Sequence, residues 1–432
     1  MTRNSPAGWR DVNGDDLADA SAGLLYWISD GALPFPTSWI WGLQDTVPEA
    51  GAVIGILYAD GDHGTLCASN VVSRGVVGVP PDREIRFRDL PDGQPAAMNA
   101  GLAPDASLVS VGNVYASDSL FEVAWVYLAY GEDPGRDDDD IQVASNSYGF
   151  SDVDNDGWDA DSRLIDHLVR NTNPNLSFLV ATGNGAPGYG TVTAPKPAVG
   201  MGIAASTQMG STGSDMLGNA VDSITDTTQI TFGDIVSWSN RGPGADGSPG
   251  VQLAADGADA SGGVPLNTVG DGAHANATWS GTSRSTPVVA GAMALVYEAY
   301  RERTGAWPTW QEARSILMAG ARFSGYDTFT AGAGVLDAAD AVRVAAGLRG
   351  VHAMPAEWTA GGYHGQSFPA FASLVHPGDV ATTTIRLENP TDRAVRVRLS
   401  AQTLRRIGSS DAALITKPDQ QSPSGDVPDY LA

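Results

Sequence analysis

Ser283 stands in a Gly-Thr-Ser turn followed directly by a run of small residues, with Gly281 to Val296 reading GTSRSTPVVAGAMALV. A serine at the start of a helix presents its hydroxyl outward while its own N–H lies at the positive end of the helix dipole, where developing negative charge is stabilised. Pro287 suits the first turn of a helix, and the small residues after it allow close packing in a core. The segment predicts a nucleophilic serine, and a buried helix with a serine N-cap is the simpler alternative.

His63 lies in the segment DGDHGTLCASNVV, residues 60–72, where a Gly-containing turn opens an apolar stretch. Of the six histidines it alone has this setting, which predicts a general base, although a capping or surface histidine gives the same tripeptide. Cys67 follows one helical turn later and so lies on the same face of the predicted helix. It is the only cysteine, which excludes an intrachain disulfide, and it fits a buried thiol or one sensitive to mercurials.

Asn184 follows an apolar strand in the sequence ATGNG. Open α/β sheets place their sites at the carboxyl ends of strands, and a side-chain amide there can donate a hydrogen bond to an oxyanion. The alternative is that Asn-Gly is simply a turn.

From about residue 50 to 345, the segments that must position these residues follow the strand–helix alternation of an α/β fold. Short β-branched runs alternate with helical patterns, which predicts a doubly wound, mostly parallel sheet. The predicted buried strands are Ala52–Tyr58, Ser107–Gly112, Ile141–Ser147, Leu176–Ala181 and Gly200–Ala205. The predicted helices are Leu120–Tyr130, Asp161–Asn171, Ser285–Arg303 and Trp310–Ala319. The composition of residues 257–277 predicts a loop.

Together these segments resemble the subtilisin-like serine peptidases, the subtilase family. GTSRSTPVVAG resembles the family's serine motif, HGTLCAS its histidine motif and ATGNG its oxyanion-asparagine motif. Further matches occur in the family's order: GLAPDASLVSV (101–111), VASNSYG (143–149), VSWSNRGP (236–243), VQLAADGA (251–258) and GAGVLDAADAV (332–342).

The resemblance implies a subtilisin-type fold and a serine endopeptidase that works through an acyl-enzyme. Ser283 would be the nucleophile, His63 its general base, and Asn184 with the Ser283 N–H the oxyanion hole. Residues 110–115 and 145–149 would line the cleft and hold an extended protein or peptide substrate by backbone pairing.

The family's triad also needs an aspartate at the end of a buried strand, in a motif such as V-I-D-T/S-G, and no segment matches it. Asp30, in LLYWISDGALP, precedes His63 by 33 residues but lacks the Thr or Ser before Gly31. Asp60 is too near His63 to approach it from another strand. Residues 8–41 resemble the insertion that some large subtilases carry between these motifs. We therefore expect a large-insert member truncated at its N-terminus, with the aspartate upstream of Met1, and Asp30 as the alternative.

These patterns divide the chain into three parts. Residues 1–49 are the predicted insertion, 50–348 the peptidase domain and 349–432 an incomplete β-rich C-terminal module with a tail. In the last part, residues 381–387 and 394–399 alternate apolar and polar side chains around ENPTD, which predicts a hairpin of a partial β-sandwich.

Two alternative interpretations of the same motifs are considered. The sedolisin-type peptidases share the fold and a similar serine motif, but they have glutamate where His63 stands and aspartate where Asn184 stands. A catalytically impaired subtilase-like binding scaffold is the alternative from another class, because the triad aspartate is missing.

Two acidic loops predict structural calcium sites, the one cofactor expected. The first has donor residues at alternating positions but Asp16 where a calcium loop has glycine; its donors are Asp11, Asn13, Asp15 and Asp19. The second has the glycine, Gly157, but Arg163 at the twelfth position; its donors are Asp152, Asp154 and Asp156.

The composition argues against nucleic acid or an anionic membrane as a partner, since 50 acidic residues face 25 basic ones. No apolar run reaches the length of a membrane span. The first residues, MTRNSPAGWRDVNGDD, contain no apolar signal-peptide core. We expect the full-length protein to be secreted, and the sequence specifies no oligomeric state.

Overall fold

The computed structural model describes residues 2–4, 9–10, 20–21, 24–28, 50, 53–58, 62–77, 97–111, 118–131, 141–150, 152–185, 188–207, 234–258, 260–264, 276–358, 378, 380 and 382–400. Its strands are β1 (Thr2–Asn4), β2 (Trp9–Arg10), β3 (Ala20–Ser21), β4 (Leu24–Ile28), β5 (Val53–Tyr58), β6 (Arg74–Val77), β7 (Ala97–Ala100), β8 (Val143–Asn146), β9 (Ser177–Ala181), β10 (Met201–Ser206), β11 (Leu253–Asp256), β12 (Ala260–Gly263), β13 (Asn276–Trp279), β14 (His352–Met354) and β15 (Arg386–Glu388). Its helices are α1 (His63–Val72), α2 (Asp118–Tyr130), α3 (Ala160–Asn171), α4 (Thr282–Thr304), α5 (Trp310–Gly320), α6 (Thr328–Ala331) and α7 (Ala338–Ala345).

The chain forms two compact units, Met1–Asp105 with Ser261–Thr278, and Ala106–Ala260 with Trp279–Ala432. We call them the histidine unit and the serine unit, after His63 and Ser283. The predicted division of the chain into three parts stays a prediction.

A parallel four-stranded sheet forms the centre of the serine unit, with the order β11-β10-β9-β8. Side chains of β9 alternate between its two faces, as the twofold period of a strand requires. Phe178 and Val180 pack into a cluster with α2 and α3 residues such as Trp125 and Ile165. On α4, Tyr297 contacts the Ser177 hydroxyl, with 2.9 Å between the two oxygens.

Helix α4 contacts all four strands of this sheet. Its buried residues include Ala290, Gly291 and Ala292, whose small side chains permit the close approach. Gly305 ends the helix in a left-handed conformation with φ of 79°. The α/β fold class with a parallel sheet is therefore confirmed, as are the four predicted helices.

The histidine unit contains antiparallel pairings within the described residues. β1, β4 and β5 form one antiparallel sheet in that order, and β2–β3 and β6–β7 are antiparallel pairs; β12 also pairs with β13. Helix α1 begins at His63 and buries Leu66. The loop after β7 fixes its other end, because Gly101 N donates to Ser73 O and Ala103 N donates to Val71 O.

Four sequence expectations about elements are wrong. The strand predicted at Ala52–Tyr58 is present as β5 but pairs antiparallel with β4, and an apolar run alone does not distinguish the two kinds of sheet. Residues 107–111 are not a strand, since no described strand pairs with them. Their side chains are exposed. The predicted loop 257–277 contains β12 and the start of β13, whose Ala-, Gly- and Asn-rich composition gave no strand signal.

The fourth concerns the C-terminal hairpin. β15 pairs with β14, and residues 394–400 form no strand. Ile385, Leu387, Val395, Val397 and Leu399 are all exposed, and a hairpin with an uncovered apolar face is only marginally stable.

None of the described helices combines the length and apolar character that crossing a bilayer requires.

Candidate active site

Ser283 is the second residue of α4, at the edge where the parallel strands of the serine unit end. Gly281 caps the helix, and its N–H donates to Gly257 O, the residue after β11. On the next turn, Ser285 Oγ donates to Ala255 O at 2.9 Å. The helix start is therefore fastened to the sheet on both sides of Ser283.

The Asn184 side chain is held in one orientation by Thr282. Its Oδ1 accepts hydrogen bonds from Thr282 N at 2.8 Å and from Thr282 Oγ1 at 2.9 Å. A backbone N–H can only donate, so the amide oxygen must face it and the NH₂ group must face away. The orientation of the Asn184 amide is therefore unambiguous, with Nδ2 as the donor that faces away from Thr282.

The open space beside Gly281 is bordered by two donors. A Cβ on Gly281 would lie 3.4 Å from Ser283 N and 3.6 Å from Asn184 Nδ2. Gly281 has φ of 150° and ψ of 159°, a conformation that side-chain-bearing residues rarely adopt. The absence of a side chain at residue 281 therefore leaves room for a small group that contacts both donors.

The turn that carries Asn184 is supported from behind by Asn240. Gly185 N donates to Asn240 Oδ1 at 2.7 Å, and Asn240 N donates to Gly183 O at 3.0 Å. Gly183 has φ of 101°, and a Cβ there would lie 2.3 Å from Asn240 Nδ2, so only glycine fits. Asn240 belongs to the VSWSNRGP segment, to which the sequence alone assigned no role.

Ser147, immediately after β8, exchanges two hydrogen bonds with Ser283. Ser147 Oγ donates to Ser283 O at 2.8 Å, and Ser283 Oγ donates to Ser147 O at 3.2 Å. Sequence reasoning assigned this segment to the cleft but missed the contact with Ser283. It missed the part played by Thr282 as well, although both residues lie inside the quoted motifs.

Arg284 follows Ser283 and is almost fully buried, with 7% of its side chain exposed. It pairs with Asp256 Oδ2 at 2.8 Å and donates from Nη1 to Asp256 O at 2.9 Å. Asp256 ends β11, so this ion pair adds a further attachment between the helix start and the sheet.

His63 is the first residue of α1 in the histidine unit and is accessible to solvent. Crowding by protein atoms displaces water from the imidazole and lowers its pKa below the usual value, while Asp62 opposes this shift. Cys67 Sγ lies 3.9 Å from His63 Nδ1, as the helical spacing predicts. The helix is tied to its own unit by Gly263 N, which donates to Ser69 Oγ at 2.8 Å.

Several predicted residues lie outside the described part of the chain. These are Asp30 and Asp60, residues 112–115 of the predicted cleft, and the first calcium loop with Asp11, Asn13, Asp15 and Asp19.

The second calcium loop, with Asp152, Asp154 and Asp156, lies within the described residues. Across the described ranges, no group of three or more acidic, histidine or cysteine side chains is arranged to hold a metal ion. Asp156 Oδ1 instead accepts from Trp158 N at 2.8 Å, and Asn155 Nδ2 donates to Val192 O at 2.7 Å. Asp152 and Asp154 are exposed. The second calcium site stays a prediction.

Comparison with known proteins places these motifs in a family. Residues 55–336, more than half of the chain, match the model of the subtilase family, Peptidase S8. Tripeptidyl-peptidase 2 of Drosophila melanogaster is 26% identical over 301 residues, which are 67% of this chain and 18% of that protein. The chain thus spans less than a fifth of the length of this relative.

Two solved structures are also similar. The prenylagaramide maturation protease PagA has 20% identity and a TM-score of 0.42, covering 66% of this chain and 84% of that one. A mutant of the protease domain of PatA has 18% identity and a TM-score of 0.41, covering 66% and 81%.

The chain belongs to the subtilase family. This is a family of serine-type peptidases, as the motifs predicted. This assignment supports the enzyme over the binding scaffold.

Proposed function

We propose that Ser283, His63 and Asn184 carry out endopeptidase cleavage. Ser283 Oγ attacks the carbonyl carbon of the scissile peptide bond while His63 takes the hydroxyl proton. The tetrahedral oxyanion accepts hydrogen bonds from Ser283 N and Asn184 Nδ2. His63 then gives its proton to the leaving amine, and water, activated by the same imidazole, hydrolyses the acyl-enzyme.

The observation that supports this proposal is that two hydrogen-bond donors, Ser283 N and Asn184 Nδ2, border the open space beside Gly281. Ser283 N lies at the positive end of α4, and Asn184 Nδ2 is turned outward because Thr282 holds its oxygen. Donors that are fixed before the reaction need no reorganisation when negative charge develops, which is why such sites stabilise the transition state.

The lowered pKa of His63 supports its role as base. An imidazole whose pKa is below the usual value is neutral at neutral pH and able to accept a proton.

The cleft itself is proposed to run along residues 110–115 and 145–149. Ser110, Val111 and Ser145 are exposed, which supports access of an extended peptide to the backbone there.

Labelling with a fluorophosphonate tests the proposal. The protein should react once, at Ser283, and the Ser283→Ala protein should not react. His63→Ala should slow the reaction severely, since the hydroxyl loses its base. Reaction at another serine would count against the proposed roles, and so would no reaction of an N-terminally extended protein that contains the aspartate.

The third triad member is tested separately. If the aspartate lies upstream of Met1, an N-terminally extended protein is active and the present chain is about 10⁴-fold slower, as in related triads without their aspartate. If the present chain is fully active and Asp30→Asn abolishes that activity, Asp30 is the third triad member instead.

Secretion of the full-length protein is also proposed, and its recovery from the culture medium would support it.

A further inference from the structure

Helix α4 contains a proline beyond its first turn. Pro287 is the sixth residue of the helix, whereas the sequence predicted a first-turn position. In an α-helix the N–H of residue 287 would donate to the carbonyl of residue 283. Proline has no N–H, so the Ser283 carbonyl lacks its regular helix donor.

Ser147 supplies a donor to this same carbonyl. Its hydroxyl lies 2.8 Å from Ser283 O, in a part-buried setting. A buried or half-buried carbonyl without a partner is costly, so a side chain that replaces a missing helix bond is strongly favoured. The second bond of the pair runs the other way, because Ser283 Oγ donates to Ser147 O.

Ser147 is itself on a rigid support. The preceding residue, Asn146, is buried and its Nδ2 donates to Leu179 O on the neighbouring strand at 3.0 Å. The following residue, Tyr148, donates from its hydroxyl to Asn146 Oδ1 at 2.8 Å and accepts from Trp125 Nε1 at 2.7 Å. The Ser147 hydroxyl therefore ties residue 283 to the end of β8.

We propose that Ser147 is a positioning residue for the nucleophile, and that it acts by replacing the helix hydrogen bond that Pro287 removes. The inference rests on the proposed role of Ser283. Pro287 frees the Ser283 carbonyl, Ser147 captures it, and the backbone of residue 283 is thereby held against β8. The N–H of the same residue is one of the two oxyanion donors, so its position depends on this attachment.

The coupling between residues 147 and 287 makes the proposal testable. Ser147→Ala removes the replacement donor and should slow fluorophosphonate labelling about fivefold, the loss expected for one neutral hydrogen bond. Pro287→Ala restores an N–H at the regular position. In the Pro287→Ala background, Ser147→Ala should then slow labelling by less than about twofold, because the carbonyl keeps a donor.

Ser285→Ala is the matched control. It removes a buried hydroxyl from the first turn of α4, close to Ser283, and this hydroxyl donates to Ala255 O. Its effect on labelling should be the same with proline or alanine at residue 287. Equal losses from Ser147→Ala in both backgrounds would overturn the proposal, and so would a rescue by Pro287→Ala that extends to Ser285→Ala.

Thermal unfolding of the same variants provides a measurement that needs no activity. Ser147→Ala should lower Tm more in the parent than in the Pro287→Ala protein. If Ser147→Ala alone does not fold, the double variant should fold, and its failure to do so counts against the proposal. An N-terminally extended parent that is not labelled at Ser283 contradicts the proposed nucleophile, while the unfolding cycle still decides whether Ser147 and Pro287 are coupled.

Discussion

Asn184→Asp separates the donor role of Asn184 from its part in the fold. The carboxylate retains an oxygen that can accept both hydrogen bonds from Thr282, at 2.8 and 2.9 Å in the parent. It loses the NH₂ group that borders the space beside Gly281. The substitution therefore leaves the turn in place and removes one proposed oxyanion donor.

The expected loss has two parts. Removing one such donor costs about 2.7–4 kcal/mol, or 10²- to 10³-fold in turnover, as measured in subtilisin. The new carboxylate also repels the oxyanion, and at about 4 Å two unit charges interact with about 1 kcal/mol in the limit of bulk water. Because the Asn184 side chain is exposed, the water limit is the appropriate one. We expect turnover to fall about 5 × 10²- to 5 × 10³-fold.

The assay is peptide hydrolysis with separate determination of kcat and KM, alongside thermal unfolding. We expect the fall in kcat, little change in KM, and a Tm within about 2 °C of the parent, since an exposed site is altered. Asn171→Asp, at an exposed position near the end of α3, adds the same charge and serves as the control. An Asn184→Asp protein with more than about a tenth of the parental kcat would refute the assignment of Asn184 as an oxyanion donor.

Three further predictions concern pH, an ion pair and calcium. The rate of labelling at Ser283 should fall on the acid side with a midpoint below 6.5, because the pKa of His63 is lowered and its protonated form cannot accept a proton; a midpoint at or above 6.5 contradicts this. Asp256→Ala should lower the free energy of unfolding by about 2 kcal/mol because Arg284 stays buried without its carboxylate partner, and adding Arg284→Met should recover most of the loss. Urea denaturation measures both, and a neutral single substitution would show that the pair contributes nothing. If either predicted loop binds calcium, the ion should raise Tm and a chelator should reverse the rise, whereas an unchanged Tm counts against both sites.

Local sequence patterns predicted the serine unit well. The buried strands β9 and β10 are short apolar runs, and helices α3 and α5 have strong amphipathic periods, so each carries its own signal. The parallel arrangement then places Ser147, Asn184 and Ser283 at the same edge, because carboxyl ends of parallel strands coincide.

Contacts between distant segments could not be predicted in this way. Thr282 and Asn184 are separated by 98 residues and Ser147 and Ser283 by 136, and neither spacing has a local signature. The pairing partner of an apolar strand is likewise decided by tertiary packing, which is why β5 was assigned to the wrong kind of sheet.

The two helices that carry the proposed base and nucleophile are anchored very differently. Helix α4 has 23 residues and contacts every strand of its sheet, so the amides of its buried part should exchange with deuterium only when the serine unit unfolds as a whole. Helix α1 has 10 residues and buries Leu66 alone, so local opening should expose it at much lower free energy. On heating, α1 should therefore open first and His63 should lose its native position, while Ser283 is still held in native structure. Heat inactivation would precede the loss of the sheet and would be reversible on cooling over that interval.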